Sequence, residues 1–235
     1  MASASVAFVR EHLRARLTLA LLVLIPALFV IASAAVLGEF ASALGGAVAG
    51  SSASALGAGW AAAFLAGALG FFQVSSSRDA DRRLALAGLG PTRVAVARIG
   101  ASAALAMVVS AAAFITLELI EPPLHPAHAA AAIAAFALIY VGLGALVGSF
   151  VSGPLEGSLT VALIFLVDIF SGPGMTDSGG VAALLPTRGV AELLIAAGAG
   201  EGSPTGDWLV VLATVIGSLS IAFGAFWWAA RPRTG

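Results

Sequence analysis

Few side chains in this sequence have the chemistry of a reactive site, and they are widely spaced. His125 and His128 lie three residues apart near Glu118 and Glu121, and such a pair can bind a metal when a helix brings both rings to one face. Prolines interrupt this segment, so an exposed pair of loop histidines is the simpler interpretation. Asp168 stands alone in an apolar run, where a carboxylate usually faces a partner, a cavity or a pathway. Because that run ends three residues later, solvation or helix capping explains Asp168 equally well.

Several reactive groups are missing altogether. The chain has no Cys and no Lys, which excludes thiolate chemistry, a P-loop and Schiff-base catalysis. No predicted span contains a His, and no pair of spans offers two Asp, which argues against an intramembrane protease. We therefore predict a chain that is not an enzyme and that binds no metal or cofactor itself.

The composition is typical of a membrane protein. Hydrophobic residues make up 60% of the chain and charged residues 10%, whereas a soluble domain carries about 25% charged residues. The net charge of −1 gives no basic field for nucleic acid. Apolar runs near the ~20 residues that cross a bilayer predict an all-α integral membrane protein, with six spans in one domain. The predicted spans are residues 17–37, 57–74, 97–118, 129–151, 157–171 and 208–229 of residues 1–235.

Individual residues add detail to these spans. Pro26 lies in the middle of the first span and predicts a kink there. Residues 38–59 are small and almost uncharged, which indicates a flexible external loop. Trp60 is then expected to anchor the second span at the membrane interface. Gly144 and Gly148 form a GxxxG motif, a weak indication of close helix contact in a chain this rich in Gly.

The arginines predict the orientation of the chain. Ten of them flank the ends of spans that would face the cytoplasm, and one would lie outside, which is a strong positive-inside bias. Both termini are therefore predicted to be cytoplasmic. The inner set is Arg10, Arg14, Arg16, Arg78, Arg82, Arg83, Arg93, Arg98, Arg231 and Arg233, and the outer residue is Arg188.

The residues before the first span have two interpretations. In residues 3–16, apolar side chains recur at helical spacing, while Arg10, Arg14 and Arg16 lie mostly on other faces. This pattern suits an amphipathic helix in the cytoplasmic membrane interface. An ordinary basic flank to the first span explains the residues equally well.

The segment 75–93 is the most strongly charged part of the chain. Ser76 and Asp79 fit the spacing of a helix-capping motif, and Asp79 precedes Arg83 by four residues, a favourable pairing on a helix. Gly90 and Pro91 would end this helix. The segment therefore predicts a short helix beneath the membrane, either as a plain cytoplasmic loop or as a docking surface.

The segment 172–206 interrupts the regular series of spans. The fifth span is short because Ser171 and the glycines and proline after it stop the helix. A second, semi-apolar stretch follows that carries Pro186, Arg188 and Glu192. It is too short and too interrupted to cross a bilayer, so we predict an extracellular re-entrant or interfacial helix.

The order of these features resembles the membrane subunit of ABC-2 type transporters, and the resemblance covers nearly the whole chain. In that family the loop between the second and third helices is a coupling helix, which rests in a groove of the ATP-binding subunit. It carries an acidic and basic stretch, a leucine run and a Pro shortly before a basic residue. At Arg82 and Arg83 this chain departs from the family, which often has Glu followed by Gly-Thr. The matching positions are Arg78, Asp79, Asp81, Arg82, Arg83, Leu84, Leu86, Pro91 and Arg93.

The resemblance implies the permease half of an exporter in the bacterial plasma membrane. Two identical or homologous halves would enclose a pathway, and two copies of an ATP-binding subunit, which hold ATP and Mg²⁺, would drive alternating access. The implied cargo is hydrophobic or amphiphilic, such as a drug, an antibiotic or a lipid-like molecule. Phe165, Asp168 and Phe170 are the implied outer gate.

Two other classes of protein remain open. An ATPase-independent six-helix channel or secondary transporter would be expected to show more intramembrane charges and an internal repeat. A membrane assembly or sensor protein without transport would use the charged loop as a general partner site.

Overall fold

The computed structural model describes residues 16–77, 80, 83–84, 87–88, 90–151, 153–175 and 185–229. These residues form helices and no strands, which confirms the prediction of an all-helical fold. Seven helices are defined among them, which we number in chain order. They are α1 (Arg16–Ala43), α2 (Gly50–Ser75), α3 (Pro91–Ile120), α4 (Pro126–Phe150), α5 (Pro154–Ser171), α6 (Arg188–Ala199) and α7 (Thr205–Ala229).

Five of these helices are long and apolar enough to cross a membrane, and α1 makes a sixth if its two bent parts form one span. The parts of α1, Ala20–Ser33 and Val36–Ala43, meet at 54°. Pro26 lies within the first part, so this bend is not at the proline where the sequence places it. Helix α6 has 12 residues and is roughly 18 Å long, too short for the ~30 Å core of a bilayer.

Most helices begin before the apolar runs that predict them. Pro91, Pro126 and Pro154 each occupy the first turn of a helix, where the missing N–H of proline costs no hydrogen bond. Residues 38–59 are not a flexible loop, because α1 continues to Ala43 and α2 already begins at Gly50. Trp60 is consequently 1% exposed in the third turn of α2, rather than an anchor at the interface.

Helices α2 and α4 form the centre of the bundle. They approach closely at glycines: a Cβ atom on Gly144 of α4 would lie 1.9 Å from the carbonyl oxygen of Gly67 of α2. One on Gly148 would lie 2.8 Å from the carbonyl oxygen of Phe71. The GxxxG motif of α4 therefore lies directly against α2. Helix α3 packs against α1, α2, α4 and α7, whereas α5 and α6 each pack against both central helices.

The two ends of the bundle differ. We call the end that carries residues 44–49, 121–125 and 200–204 the α6 end, and the opposite end, where α2 ends and α3 begins, the loop end. At the α6 end, the backbone amides of Ala47 and Val48 both donate to the carbonyl oxygen of Gly174, and the amide of His125 donates to that of Ala197. These bonds join segments that are distant in the chain.

Candidate functional site

A buried carboxylate links three elements of the bundle. Asp168, near the end of α5, accepts a hydrogen bond from the hydroxyl of Tyr140 of α4, with 2.7 Å between Oη and Oδ2. Its other oxygen, Oδ1, accepts a hydrogen bond from the hydroxyl of Thr187, the residue before α6. Each of the three side chains is at most 4% exposed. We call this set the Asp168 site.

The Asp168 site lies near the middle of the bundle rather than at its surface. Tyr140 is 14 residues after the start of the 25-residue helix α4, which places it roughly 21 Å along a helix of about 37 Å. Helix α5 has only 18 residues and ends three residues after Asp168. Solvation at the interface does not account for this carboxylate, because it is buried and bonded within the protein.

Of the three implied outer-gate residues, the structure brings two together. Phe165 lies one turn before Asp168 and is buried among aromatic rings, with its centroid 4.8 Å from Phe64 and 6.2 Å from Tyr140. Phe170 does not join them, because it is 44% exposed and its ring contacts Phe40 of α1.

Tyr140 and Thr187 are the members of the site that the sequence interpretation missed. Tyr140 is the single tyrosine of the chain and lies inside an otherwise apolar span. A buried tyrosine hydroxyl usually has a hydrogen-bond partner, so this residue was a detectable signal. Thr187 had no such signal in the sequence, because it lies outside the periodic part of any helix.

The Asp168 site can hold three elements of the bundle together. Hydrogen bonds to an ionised acceptor are stronger than neutral ones, so an ionised carboxylate would join α4, α5 and the start of α6 with two such bonds. Among the described residues, no group of three or more His, Cys, Asp or Glu could hold a metal ion. The two hydrogen bonds suit a structural role, in which the carboxylate fixes α5 against α4 and the start of α6.

Helix α6 extends into the bundle from the α6 end. Near its C-terminus, the hydroxyls of Ser51 and Ser52 at the start of α2 donate to the carbonyl oxygens of Gly198 and Ile195. Further along, Leu194 packs against Gly59, roughly 14 Å from the start of α2. Its first residues then reach the depth of Asp168. The helix therefore lies among the spans over its whole length.

The histidines that the sequence singles out lie at the α6 end. The ring of His125 is within hydrogen-bond distance of the carbonyl oxygen of Gly200, with Nε2 at 3.1 Å. The ring of His128 packs between those of His125 and Trp208, at centroid distances of 5.5 and 5.7 Å. These contacts join the start of α4 to the segment after α6 and to the start of α7.

Four of the residues that the resemblance assigns to ATPase coupling are described, and they lie at the loop end. Arg83 and Arg93 are exposed, and Pro91 occupies the first turn of α3 after Gly90, whose φ is +75°. Leu84 is half-buried and packs against a small apolar cluster formed by the ends of α2, α3, α4 and α7. The other coupling positions, Arg78, Asp79, Asp81, Arg82 and Leu86, lie outside the described residues.

The predicted interface helix falls almost entirely outside the described part of the chain. Arg10 and Arg14 precede that part, and Arg16 is the first residue of α1. Arg98, one of the ten arginines that the sequence assigns to the cytoplasmic side, lies within α3 and is 8% exposed. Its guanidinium donates to Gln73 Oε1 of α2 at 3.2 Å, so Arg98 joins two helices and is not on the loop surface.

Comparison with known proteins adds no family to this description. No family model matches the chain, and no curated protein sequence is significantly similar to it. The chain is therefore described by its architecture: a helical, multi-pass membrane protein with a short helix inserted among its spans and a buried carboxylate beside the start of that helix.

Proposed function

We propose that this chain is the permease half of an ABC exporter in the bacterial plasma membrane. Two halves enclose a pathway for a hydrophobic or amphiphilic cargo, and two copies of a separate ATP-binding subunit drive alternating access. Both termini and the loop end are cytoplasmic in this proposal, and the α6 end faces outward. The chain is non-catalytic, because ATP and Mg²⁺ are held by the partner.

The pair α5 and α6 is the observation that carries the proposal. Helix α5 has only 18 residues, and a 12-residue helix follows that begins beside Asp168 and packs among α2, α4 and α7. Interrupted helices at membrane depth are tolerated only where protein or a cavity covers the free backbone, and they are frequent in transporters. A bundle whose only role was anchoring would have no need of such an interruption.

The loop end supports the involvement of a partner. Arg83 in the loop and Arg93 in the first turn of α3 are exposed, while Leu84 packs on a cluster that includes Val74 and Phe226. A force on the loop would therefore reach the ends of several helices through apolar contact. This is the connection that a coupling helix needs.

Association with an ATPase tests the proposal. The chain is purified from native membranes, and mass spectrometry is used to search for a co-purifying chain with a Walker A motif. The ATPase found is then reconstituted with the chain in liposomes, and its turnover and the export of an amphiphilic dye are measured. Charge reversal at Arg78, Arg82 and Arg83 should uncouple the two proteins while membrane insertion persists. Reversal of the exposed Glu201 at the α6 end is the control and should change neither quantity.

A secondary transporter is the alternative that the Asp168 site favours. A carboxylate within a span is a common ion or proton carrier. In that case transport should follow an imposed proton or sodium gradient in liposomes without ATPase, and Asp168→Asn should abolish it. Gradient-driven transport by the chain alone, with no associated ATPase, would refute the exporter assignment.

A further inference from the structure

Helix α6 carries an ion pair on its exposed face. Arg188 Nε and Glu192 Oε1 are 2.7 Å apart, one helical turn from each other, and their side chains are 44% and 50% exposed. Ala199 is also exposed. Because it follows Arg188 by eleven residues, about three turns, it lies on the same face. We call these three residues the exposed face of α6.

This ion pair lies at the depth of the membrane spans. Thr187, the residue before Arg188, is buried against Asp168 near the middle of the bundle. Gly189, the residue after it, packs near Val211, which is roughly 9 Å from the start of α7. Arg188 therefore lies at the end of α6 that points into the bundle, about one helical turn deeper than Glu192.

Lipid is a poor neighbour for such a pair. Charged side chains within spans almost always face protein or a water-filled cavity. Glu192 borders a cavity of about 320 Å³, which Glu201 and Asp207 also line, so water can reach its carboxylate from the α6 end. Gly189, the residue after Arg188, also lines that cavity, whereas Arg188 itself does not. Next to it, Pro186 borders an apolar cavity of about 280 Å³ between α4 and α7.

We propose that the exposed face of α6 packs against a second copy of this chain, so that Arg188 of one copy lies beside Glu192 of the other. The pair is self-complementary in charge, as the two-fold symmetry of a dimer requires, because each copy offers one cation and one anion. Four charges then compensate one another away from lipid. The small side chain of Ala199 lets the two helices approach. The inference rests on the two-half assembly of the proposed function and assigns residues to its contact.

Cysteine cross-linking tests this contact directly, because the chain has no native Cys. Arg188→Cys and Glu192→Cys are expressed together with different tags, and their membranes are oxidised. We expect a mixed disulfide between the two tags. Ala199→Cys, which keeps the ion pair intact, should form a disulfide with itself. Ile115→Cys on α3 is the control; this residue is 58% exposed on a helix that packs against α1, α2, α4 and α7, and it should remain monomeric.

Charge reversal gives a second measurement. Arg188→Glu should lower the recovery of a second, differently tagged copy by at least about tenfold, because a like charge then faces Glu192 across the contact and dissociation becomes faster. The double variant Arg188→Glu with Glu192→Arg should restore recovery, since each copy again offers one cation and one anion.

Three results would overturn the inference. One is the absence of a disulfide in the Ala199→Cys protein, and another is unchanged recovery of the Arg188→Glu protein. The third is ready labelling of the Arg188→Cys protein by a polar maleimide without any cross-link, which would mean that this face lines water. None of these measurements involves an ATPase, so the two proposals can fail separately. Cross-linking without an associated ATPase would reject only the exporter assignment. An associated ATPase without cross-linking would reject only this contact.

Discussion

Gly144 offers the sharpest test of the central packing. A methyl group at this position of α4 would lie 1.9 Å from the carbonyl oxygen of Gly67 and 3.0 Å from the amide nitrogen of Phe71, both in the backbone of α2. Backbone atoms cannot rotate away as a side chain can. Gly144→Ala therefore has to push the two central helices apart.

The size of the effect follows from two opposing terms. Overpacking of a close contact costs about 1–3 kcal/mol, whereas Ala stabilises a helix by up to about 1 kcal/mol relative to Gly. Gly217→Ala on α7 measures the second term by itself, because no described atom beyond the adjacent turns of its own helix lies within 4 Å of the added carbon. The difference between the two variants should therefore be about 1–3 kcal/mol. At about 2–4 °C per kcal/mol for a chain of this size, that is a difference of roughly 2–12 °C in Tm.

Thermal unfolding of the two purified variants in the same detergent, followed by tryptophan fluorescence, gives this difference. We expect Gly144→Ala to unfold at a clearly lower temperature than Gly217→Ala. The Tm of the wild-type protein should equal that of Gly217→Ala or lie slightly below it. Equal transition temperatures for the two variants would refute the close approach of α2 and α4. Because each variant adds one methyl group within a helix, composition cannot explain a difference.

Three further predictions concern other parts of the molecule. Asp168→Ala leaves the buried hydroxyls of Tyr140 and Thr187 without their acceptor, whereas Tyr140→Phe removes one hydroxyl together with its need for a partner. Asp168→Ala should therefore lower the Tm more than Tyr140→Phe does. Equal effects on the Tm would contradict a carboxylate shared by the two hydroxyls. Leu84→Ala removes the apolar contact of the loop, so limited trypsin digestion of purified protein should cut the loop faster than in wild type, and an unchanged rate would mean that this contact does not hold the loop. A polar maleimide added to intact cells should label Gly202→Cys but not Ser76→Cys, and the opposite pattern would reverse the proposed orientation.

Much of the fold could be predicted because lipid restricts which structures the chain can form. With 10% charged residues and long apolar runs, the chain cannot form a water-exposed surface, and a segment in lipid must satisfy its backbone as a helix. Helix boundaries were less predictable. The start of α2 at Gly50 lies in a Gly, Ser and Ala stretch, where neither hydropathy nor helix propensity marks the first turn.

The contacts between side chains of different helices could not be predicted from the sequence. Asp168 is 28 residues from Tyr140 and 19 from Thr187, and the sequence marks the carboxylate without naming either partner. Helical periodicity describes the faces of one helix, but it carries no information about which faces of two helices come together. For the same reason Phe170 was grouped with Phe165, although only Phe165 is buried in the bundle.

The sequence by itself determined the class of protein, its helical spans, and the short interrupted segment before the last span, because hydropathy and helix-breaking residues act locally. The tertiary structure alone decided that this segment, as α6, lies among the spans, with its first residues beside Asp168 and its ion pair exposed. Those features depend on close packing between helices distant in the chain. The glycines of α2 and α4 allow that packing, but their positions in the sequence do not identify which helices they bring together.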